Sequence, residues 1–328
     1  MNNRRLRCAV IHHVAASTAK NEMTDSLLPF KILSFGEILW DVFPNGKKPG
    51  GAPANFAYHC KQLGANVRLL SQVGQDELGQ ELLDFCNNIG LSTALIGVSA
   101  TKPTGTVLVQ LRNDGQPNYT ITQDVAWDFL ETTPELLQWV SETDVIAFGS
   151  LATRSEQNRR TLQDILHAAP SSVVRVLDLN LREPFCEQEN IEFVLSCADI
   201  LKLNDDELNR ITEMFHFPQD SIEKQLQKLR EFYQFRLVIL TCGANGNWLT
   251  TNSEQIFTHG IKVDVADTVG AGDAFTAASV LGFLSQKQLP VIGCQANELA
   301  AYVCTQHGGT PTYSPQILGA LGTNGANK

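Results

Sequence analysis

The run Asp267-Thr268-Val269-Gly270-Ala271-Gly272-Asp273-Ala274-Phe275 carries the residue types that phosphate chemistry needs. Two glycines let the backbone come close to an anion. A helix starting at Ala271 would add unpaired N–H groups and the positive end of its dipole. Asp273 is out of place in such a turn, because a bound phosphate would repel its carboxylate. A chemical role resolves the conflict: the carboxylate accepts the proton of a hydroxyl that attacks the phosphate. The competing reading is an ordinary helix cap, in which Asp267 or Asp273 bonds first-turn N–H groups. Around this turn, residues 261–265 (IKVDV) alternate like a strand, and 271–284 (AGDAFTAASVLGFL) read as a helix with a small-residue face. The turn is therefore expected between a strand and a helix.

These nine residues resemble the C-terminal signature of the ribokinase-like (PfkB) family of sugar and nucleoside kinases. Gly50-Gly51-Ala52-Pro53-Ala54-Asn55-Phe56-Ala57 is similar to the same family's N-terminal sugar-binding signature, G-G-x-x-x-N-x-A. Two motifs in the right order, more than 200 residues apart, are far more specific than either alone, and the resemblance covers about residues 31–315. It implies an α/β fold: a central, mostly parallel sheet with helices on both faces, plus a small β-sheet lid. The expected boundaries are an extension at 1–28, a kinase domain at 29–320 with lid strands inserted near 37–48 and 93–123, and a flexible tail at 321–328.

The elements that must position these residues follow the pattern. A short apolar strand at 31–35 leads to Gly36-Glu37-Ile38-Leu39-Trp40-Asp41. In the resembled family the acidic residue beyond this strand binds sugar hydroxyls, which makes Asp41 a substrate candidate, since a carboxylate can accept two hydroxyl hydrogen bonds. A surface-turn aspartate is the alternative. Gly50 and Gly51 permit close approach to a ligand, Pro53 suits a first helical turn, and Asn55 offers a donor and an acceptor to a polyol, or else a local cap bond. A helix at 53–63, a strand at 67–73 and a helix at 77–88 capped by Asp76 come next. Three extended runs, 94–98, 105–112 and 118–122, with an Asn113-Asp114-Gly115 hairpin turn, break the βα rhythm and are similar to the lid. Gln110, Arg112 and Tyr119 are its substrate-facing candidates.

Beyond residue 144 the alternation of short apolar strands and helices implies a parallel sheet, whose ligands sit at the strands' carboxyl ends. Three polar motifs follow such ends. Asp178-Leu179-Asn180-Leu181-Arg182 matches the family's D-x-N-x-R; Arg182 would neutralise a transferring phosphoryl group or simply pair with Glu183. Asn204-Asp205-Asp206-Glu207 matches N-x-x-E. The resemblance implies that Asn204, beside the nucleotide, and Glu207 organise the Mg²⁺ of Mg-ATP largely through water, while the spacing alone fits a capping box. Thr241-Cys242-Gly243-Ala244-Asn245-Gly246 matches a glycine-rich nucleotide loop, with Thr241, Gly243 and Gly246 as ATP contacts. Asn297, on a helix expected at 291–305, is similar to the family's adenine-side polar residue. Gly308-Gly309-Thr310 with Asp267 resembles loops that hold a monovalent cation in many relatives, K⁺ being the candidate here. His307 is read as structural.

Composition sets the bounds. At 328 residues and 43% hydrophobic, the chain can bury a large core. A formal charge of −10, from 25 basic and 35 acidic side chains, argues against nonspecific nucleic-acid binding. Eight cysteines without metal spacing read as reduced thiols. No apolar run approaches a membrane span. Arg4, Arg5 and Arg7 precede only a short, polar-interrupted apolar stretch, so the first 28 residues read as a loose extension rather than a signal, and a cytoplasmic location is expected.

The G-G-A-P-A-N form of the first motif, with Asp41 ahead of it, looks most like bacterial fructokinases. The expected reaction is ATP-dependent phosphorylation of D-fructose to fructose 6-phosphate. Asp273 would be the base, and the N–H groups of Gly270, Ala271 and Gly272 would stabilise the γ-phosphoryl charge. Relatives acting on 2-keto-3-deoxygluconate, ribose or a nucleoside stay open, as does a noncatalytic sugar- or nucleotide-binding regulator. A dinucleotide oxidoreductase is disfavoured, because no G-x-G-x-x-G follows the first strand. A homodimer through the lid strands would cover their edges.

Overall fold

A computed structural model describes residues 29–111 and 117–321. The expected extension at 1–28, Arg112, the turn at 113–115 and residues 322–328 lie outside the described residues, as does the side chain of Gln110.

In chain order the strands and helices are β1 (Lys31–Phe35), β2 (Leu39–Phe43), β3 (Gly46–Gly50), α1 (Ala52–Gln62), β4 (Asn66–Gly74), α2 (Glu77–Asn88), β5 (Ile96–Ser99), β6 (Thr106–Leu111) and β7 (Pro117–Ile121). They continue with α3 (Pro134–Val140), β8 (Val145–Gly149), α4 (Glu156–Ala168), β9 (Val174–Asp178), α5 (Gln188–Ser196), β10 (Ile200–Asn204) and α6 (Asp205–Met214). The last are α7 (Ile222–Tyr233), β11 (Leu237–Thr241), β12 (Gly246–Thr250), β13 (Gln255–His259), α8 (Ala271–Leu284), α9 (Leu289–Cys304) and α10 (Pro315–Ala320). A nine-stranded sheet has the order β13-β12-β11-β10-β9-β8-β1-β4-β5, parallel from β11 to β5 and antiparallel at its β12–β13 end. A separate four-stranded sheet, β3-β2-β6-β7, forms the lid.

Two expectations change. The run at 94–98 is not a lid strand: β5 pairs in parallel with β4 at the edge of the large sheet. An extended run after a helix fits a parallel crossover as well as a hairpin, and local alternation cannot tell them apart. Residues 261–265 form no strand. The edge strand is β13, and beyond Gly260 the chain leaves the sheet, with Val265 61% exposed.

The central strands read as near-continuous apolar runs because both faces are covered. Alternate residues feed two cores. Ile146, Leu177, Leu201 and Val238 pack on the side of α4 to α7. Val145, Val176, Ile200 and Ile239 pack on the other side, with Phe56 of α1 and Phe275 and Val280 of α8. This parity fixes what happens at the carboxyl ends. Asp178 continues the Val174 and Val176 face, and Lys202 continues the Ile200 face, so both point toward α8. Their Cα atoms are direct register partners.

Candidate functional site

The two distant signatures meet. Gly270 has φ 78° and is the N-cap of α8; only a residue without a Cβ fits there, since an added Cβ would overlap the Gly309 carbonyl. Its left-handed turn swings the chain so that α8 starts at the carboxyl ends of β9 and β10. The Ala271 N–H turns back to the Thr268 carbonyl at 3.3 Å, while the N–H groups of Gly270, Gly272 and Asp273 have no acceptor among the described residues. Three unpaired donors at a helix N-terminus have the geometry that suits an anion. Of the expected trio, the N–H groups of 270 and 272 are unpaired among the described residues, while that of 271 is bonded to Thr268.

Asp273 projects from the first turn of α8 and accepts a hydrogen bond at 2.9 Å from the Asn55 Nδ2 of α1. Asn55 therefore makes neither a local side-chain cap bond nor an open contact; its amide orients this carboxylate. Burial, and secondly the charge of Asp178, push the Asp273 carboxyl up to about 7, against the Asn55 bond and the positive charges of Lys202 and Arg182. A carboxylate poised near neutrality beside an anion turn is suited to take a proton. The capping alternative fails for Asp273, whose side chain makes no cap bond.

Lys202 was not anticipated. A lysine inside the apolar run of β10 was the available signal. It is 7% exposed, its ammonium lies 3.0 Å from Asp178 Oδ1, and a Cβ added to Gly272 would sit 3.5 Å from its Nζ. Burial disfavours its charge, yet Asp178 and Glu207 outweigh that and hold its pKa up. A fixed cation thus borders the anion turn. Asp178 Oδ2 also meets the Thr276 hydroxyl at 3.4 Å.

Glu37 was passed over as well. It is 3% exposed, and its Oε2 has no hydrogen-bond partner among the described residues. Burial is the main reason its carboxyl rises to about 7. It lines a cavity of about 30 Å³ with Ser34, Pro53, Phe56, Asp178 and Asn180, room for about two waters. Asn180 adopts φ 41°, a left-handed conformation that asparagine tolerates.

The sugar-side candidates come from the lid, from the start of α1 and from the loop after β9. Asp41 in β2 is opposite Lys48 in β3. A Cβ at Gly50 would push on Asp41 Oδ2, and Gly51, at φ 109°, abuts the Glu37 carbonyl. The space these glycines leave is taken by the chain itself. Burial raises the Asp41 pKa against Arg182 and Lys48. Arg182 is exposed, and its side chain makes no hydrogen bond or ion pair among the described residues; Glu183 pairs instead with Arg210 at 3.5 Å. The positive charge of Arg182 is felt by Glu37, Asp41 and Asp273 together.

The nucleotide-side candidates divide. Asn204 and Glu207 form a complete capping box: Asn204 Oδ1 accepts from the Glu207 N–H at 2.8 Å and Glu207 Oε2 from the Asn204 N–H at 2.9 Å. Glu207 Oε1 accepts from the Leu181 N–H at 2.9 Å, tying N-x-x-E to D-x-N-x-R. Each oxygen keeps a second lone pair, which suits contact with a hydrated ion through water better than direct ligation. Among the described residues, no cluster of three or more His, Cys, Asp or Glu could hold a metal ion directly. Gly243, at φ 53°, opens onto free space near Thr241, whereas Gly246 is glycine because Thr258 of β13 crowds it. The Asn297 amide is occupied inside the protein, accepting from Asn247 at 3.0 Å and donating to the His259 carbonyl at 2.8 Å. Asp267 bonds the Val269 N–H at 3.1 Å, the Gly308 N–H at 3.2 Å and the Lys48 ammonium at 3.2 Å. No described helix is long and apolar enough to cross a membrane.

Known proteins share this chain's sequence pattern and fold. Residues 24–316 match the family model described as pfkB family carbohydrate kinase. A Zea mays fructokinase-2 is 31% identical over 268 residues, covering 75% of this chain and 78% of the relative. The crystal structure of an uncharacterized sugar kinase from Pyrococcus horikoshii in complex with ATP superposes with a TM-score of 0.73 at 28% identity, covering 85% of this chain and 94% of that one. A Vibrio cholerae O395 fructokinase in its fructose, ADP and calcium ion bound form shares the fold, with a TM-score of 0.75 at 23% identity over 89% of this chain and 98% of that one.

Proposed function

The chain belongs to the pfkB family of carbohydrate kinases, ATP-dependent sugar kinases, and from that premise we propose that it transfers the γ-phosphoryl group to a primary hydroxyl of D-fructose, giving fructose 6-phosphate. The observation that carries the reading is the Asn55–Asp273 hydrogen bond, which places the sugar signature and the phosphate signature at one carboxylate. The fructokinase relatives support the choice of sugar.

In this reading Asp41 of the lid and Arg182 of the loop after β9 hold the sugar, with Gly50 and Gly51 shaping the wall behind Asp41. Arg112 is kept as a lid contact. Asp273 accepts the proton of the attacking hydroxyl. The N–H groups of Gly270, Gly272 and Asp273 then stabilise charge on the transferring phosphoryl group, with Lys202 as a neighbouring cation. The base and the anion turn share one helix end, so the hydroxyl must lie between them for in-line attack. ATP enters along Thr241 and Gly243, beside Asn204. Gly246 and Asn297 shape the adenine end through their packing on β13.

Mg²⁺ is the proposed divalent ion; the ADP and calcium form of the Vibrio cholerae fructokinase supports a divalent site in this fold. When bound, the ion screens the phosphate charge, and Glu207 and Asp178 would hold it through its waters. A monovalent cation at Asp267, K⁺ by resemblance, would have to displace the Lys48 ammonium. A homodimer through the lid strands and a cytoplasmic location complete the reading.

The test is coupled ADP release with Mg-ATP against fructose, ribose, 2-keto-3-deoxygluconate, adenosine and a no-sugar control. Fructose is expected to give the highest kcat/KM. Turnover with another acceptor alone would overturn the sugar; binding of sugar and ATP without turnover would favour the regulator.

A further inference from the structure

A buried pair beneath the anion turn has no part in the reaction as described. Asn55 and His59 lie one turn apart on α1, so they share a face of the helix. Asn55 holds Asp273. His59 is fully buried. Its Nδ1 is hydrogen-bonded to the hydroxyl of Tyr313, which is 4% exposed, and the planes of the two rings are nearly parallel, at 9°. Its Nε2 has no well-aligned partner among the described residues, and the backbone groups beside the ring are those of Gly309 and Gly270.

The tautomer follows from the chemistry. Burial raises the Tyr313 phenol well above its ordinary range, so that oxygen keeps its proton. Burial also lowers the His59 imidazole to about 4, so the ring is neutral at neutral pH. With the phenol as donor, Nδ1 must accept, and the single ring proton resides on Nε2. That N–H then meets the carbonyl side of the two glycines. Gly270 and Gly309 are themselves packed back to back: a Cβ on Gly270 would overlap the Gly309 carbonyl, and a Cβ on Gly309 would lie 3.1 Å from Asn55 Nδ2.

We propose that His59 and Tyr313 are positioning residues that seat the C-terminal loop at Gly308 and Gly309 against the Gly270 turn, and so hold the anion-binding N–H groups and the Asn55–Asp273 pair in register. The proposal rests on reading that turn as the phosphoryl-binding site. Neither residue touches a reacting atom. The pair acts by fixing Gly309 as the surface on which both Gly270 and Asn55 rest, and misplacing a catalytic group by about 1 Å can cost on the order of a hundredfold.

Nitrogen-15 NMR of the full-length wild-type protein, with the His59 signals assigned by their loss in His59→Gln, tests the tautomer without any assay of activity. A neutral ring protonated on Nε2 from pH 5.5 to 8 is expected, as an order-of-magnitude window around its depressed pKa. A ring protonated on Nδ1, or one that titrates at the ordinary histidine pKa, overturns the proposal. Kinetics then separate positioning from simple packing. Tyr313→Phe and His59→Leu should lower kcat roughly 10- to 100-fold with little change in the KM of either substrate. His59→Gln, whose amide N–H can replace the Nε2 donor, should recover most of that loss. Equal kcat in Leu and Gln variants of equal stability would refute it. Should Asp273→Asn keep full activity, the phosphoryl reading fails while the NMR result stands by itself.

Discussion

Replacing Asp273 by asparagine should weaken the enzyme and stabilise the protein, and the size of the second effect can be worked from the site. The carboxyl has an ordinary pKa of 3.8 and is pushed up to about 7. Between those values the folded state binds more protons than the unfolded state, so the stability that Asp273 contributes falls as pH rises and is lowest above about 7. A difference of about 3 pKa units corresponds to about 4 kcal/mol at most. Asp273 is partly exposed, so water reaches it and about 2 kcal/mol is the expected gain at pH 8. Asn55 Nδ2 can still donate to the asparagine oxygen, so the lost term is the buried charge alone. Urea unfolding of the ligand-free protein at pH 8 and pH 5 is the assay. The variant should be more stable at pH 8, with the advantage shrinking by pH 5, where the wild-type carboxyl is largely protonated. A variant equally stable or less stable than wild type at pH 8 would refute the argument that the carboxylate is strongly desolvated.

Other substitutions probe separate parts of the site. Glu37→Gln should stabilise the protein at pH 8 by up to about 3 kcal/mol, because its carboxyl also rises, from 4.5 to about 7; no gain in urea unfolding would show that the cavity hydrates it. Lys202→Met strips Asp178 of its ion-pair partner, and should cost about 3 kcal/mol in unfolding free energy and roughly 100-fold in kcat; an unchanged kcat would remove Lys202 from the phosphoryl site. Gly50→Ala displaces the Asp41 carboxylate and should raise the KM for sugar while leaving that for ATP; equal rises in both would contradict a sugar role for Asp41. Asn204→Ala breaks the capping box, costing about 1 kcal/mol, and should also raise the Mg²⁺ concentration for half-maximal rate; a stability loss alone would make the motif a cap and nothing more.

Much of this was legible in the sequence, for identifiable reasons. Helix α8 was read with its bounds at 271 and 284 because glycine turn and small-residue face coincide there, and the parallel strands from β8 to β11 announced themselves as short apolar runs between helices. What needed the structure was anything set by register between distant strands. The Lys202–Asp178 pair depends on β9 and β10 lying side by side with those residues opposite each other, which no local pattern encodes. The assignment of 94–98 to the lid failed because an edge strand of a parallel sheet and a hairpin strand have the same local alternation. Asn55 stands out in the sequence as a side chain with donor and acceptor on a first helical turn, and only the structure shows that it holds the Asp273 carboxylate. Gly246 and Asn297 were marked as nucleotide contacts, and tertiary packing on β13 accounts for both.

The most direct test is the fructose-dependent kcat of Asp273→Asn beside wild type, measured by ADP release at saturating Mg-ATP and fructose and at the pH optimum of each. The account predicts a loss on the order of 10²- to 10⁴-fold, the usual range for a general base, in a protein that is folded and binds ATP as before. A kcat within a few-fold of wild type would contradict Asp273 as the proton acceptor.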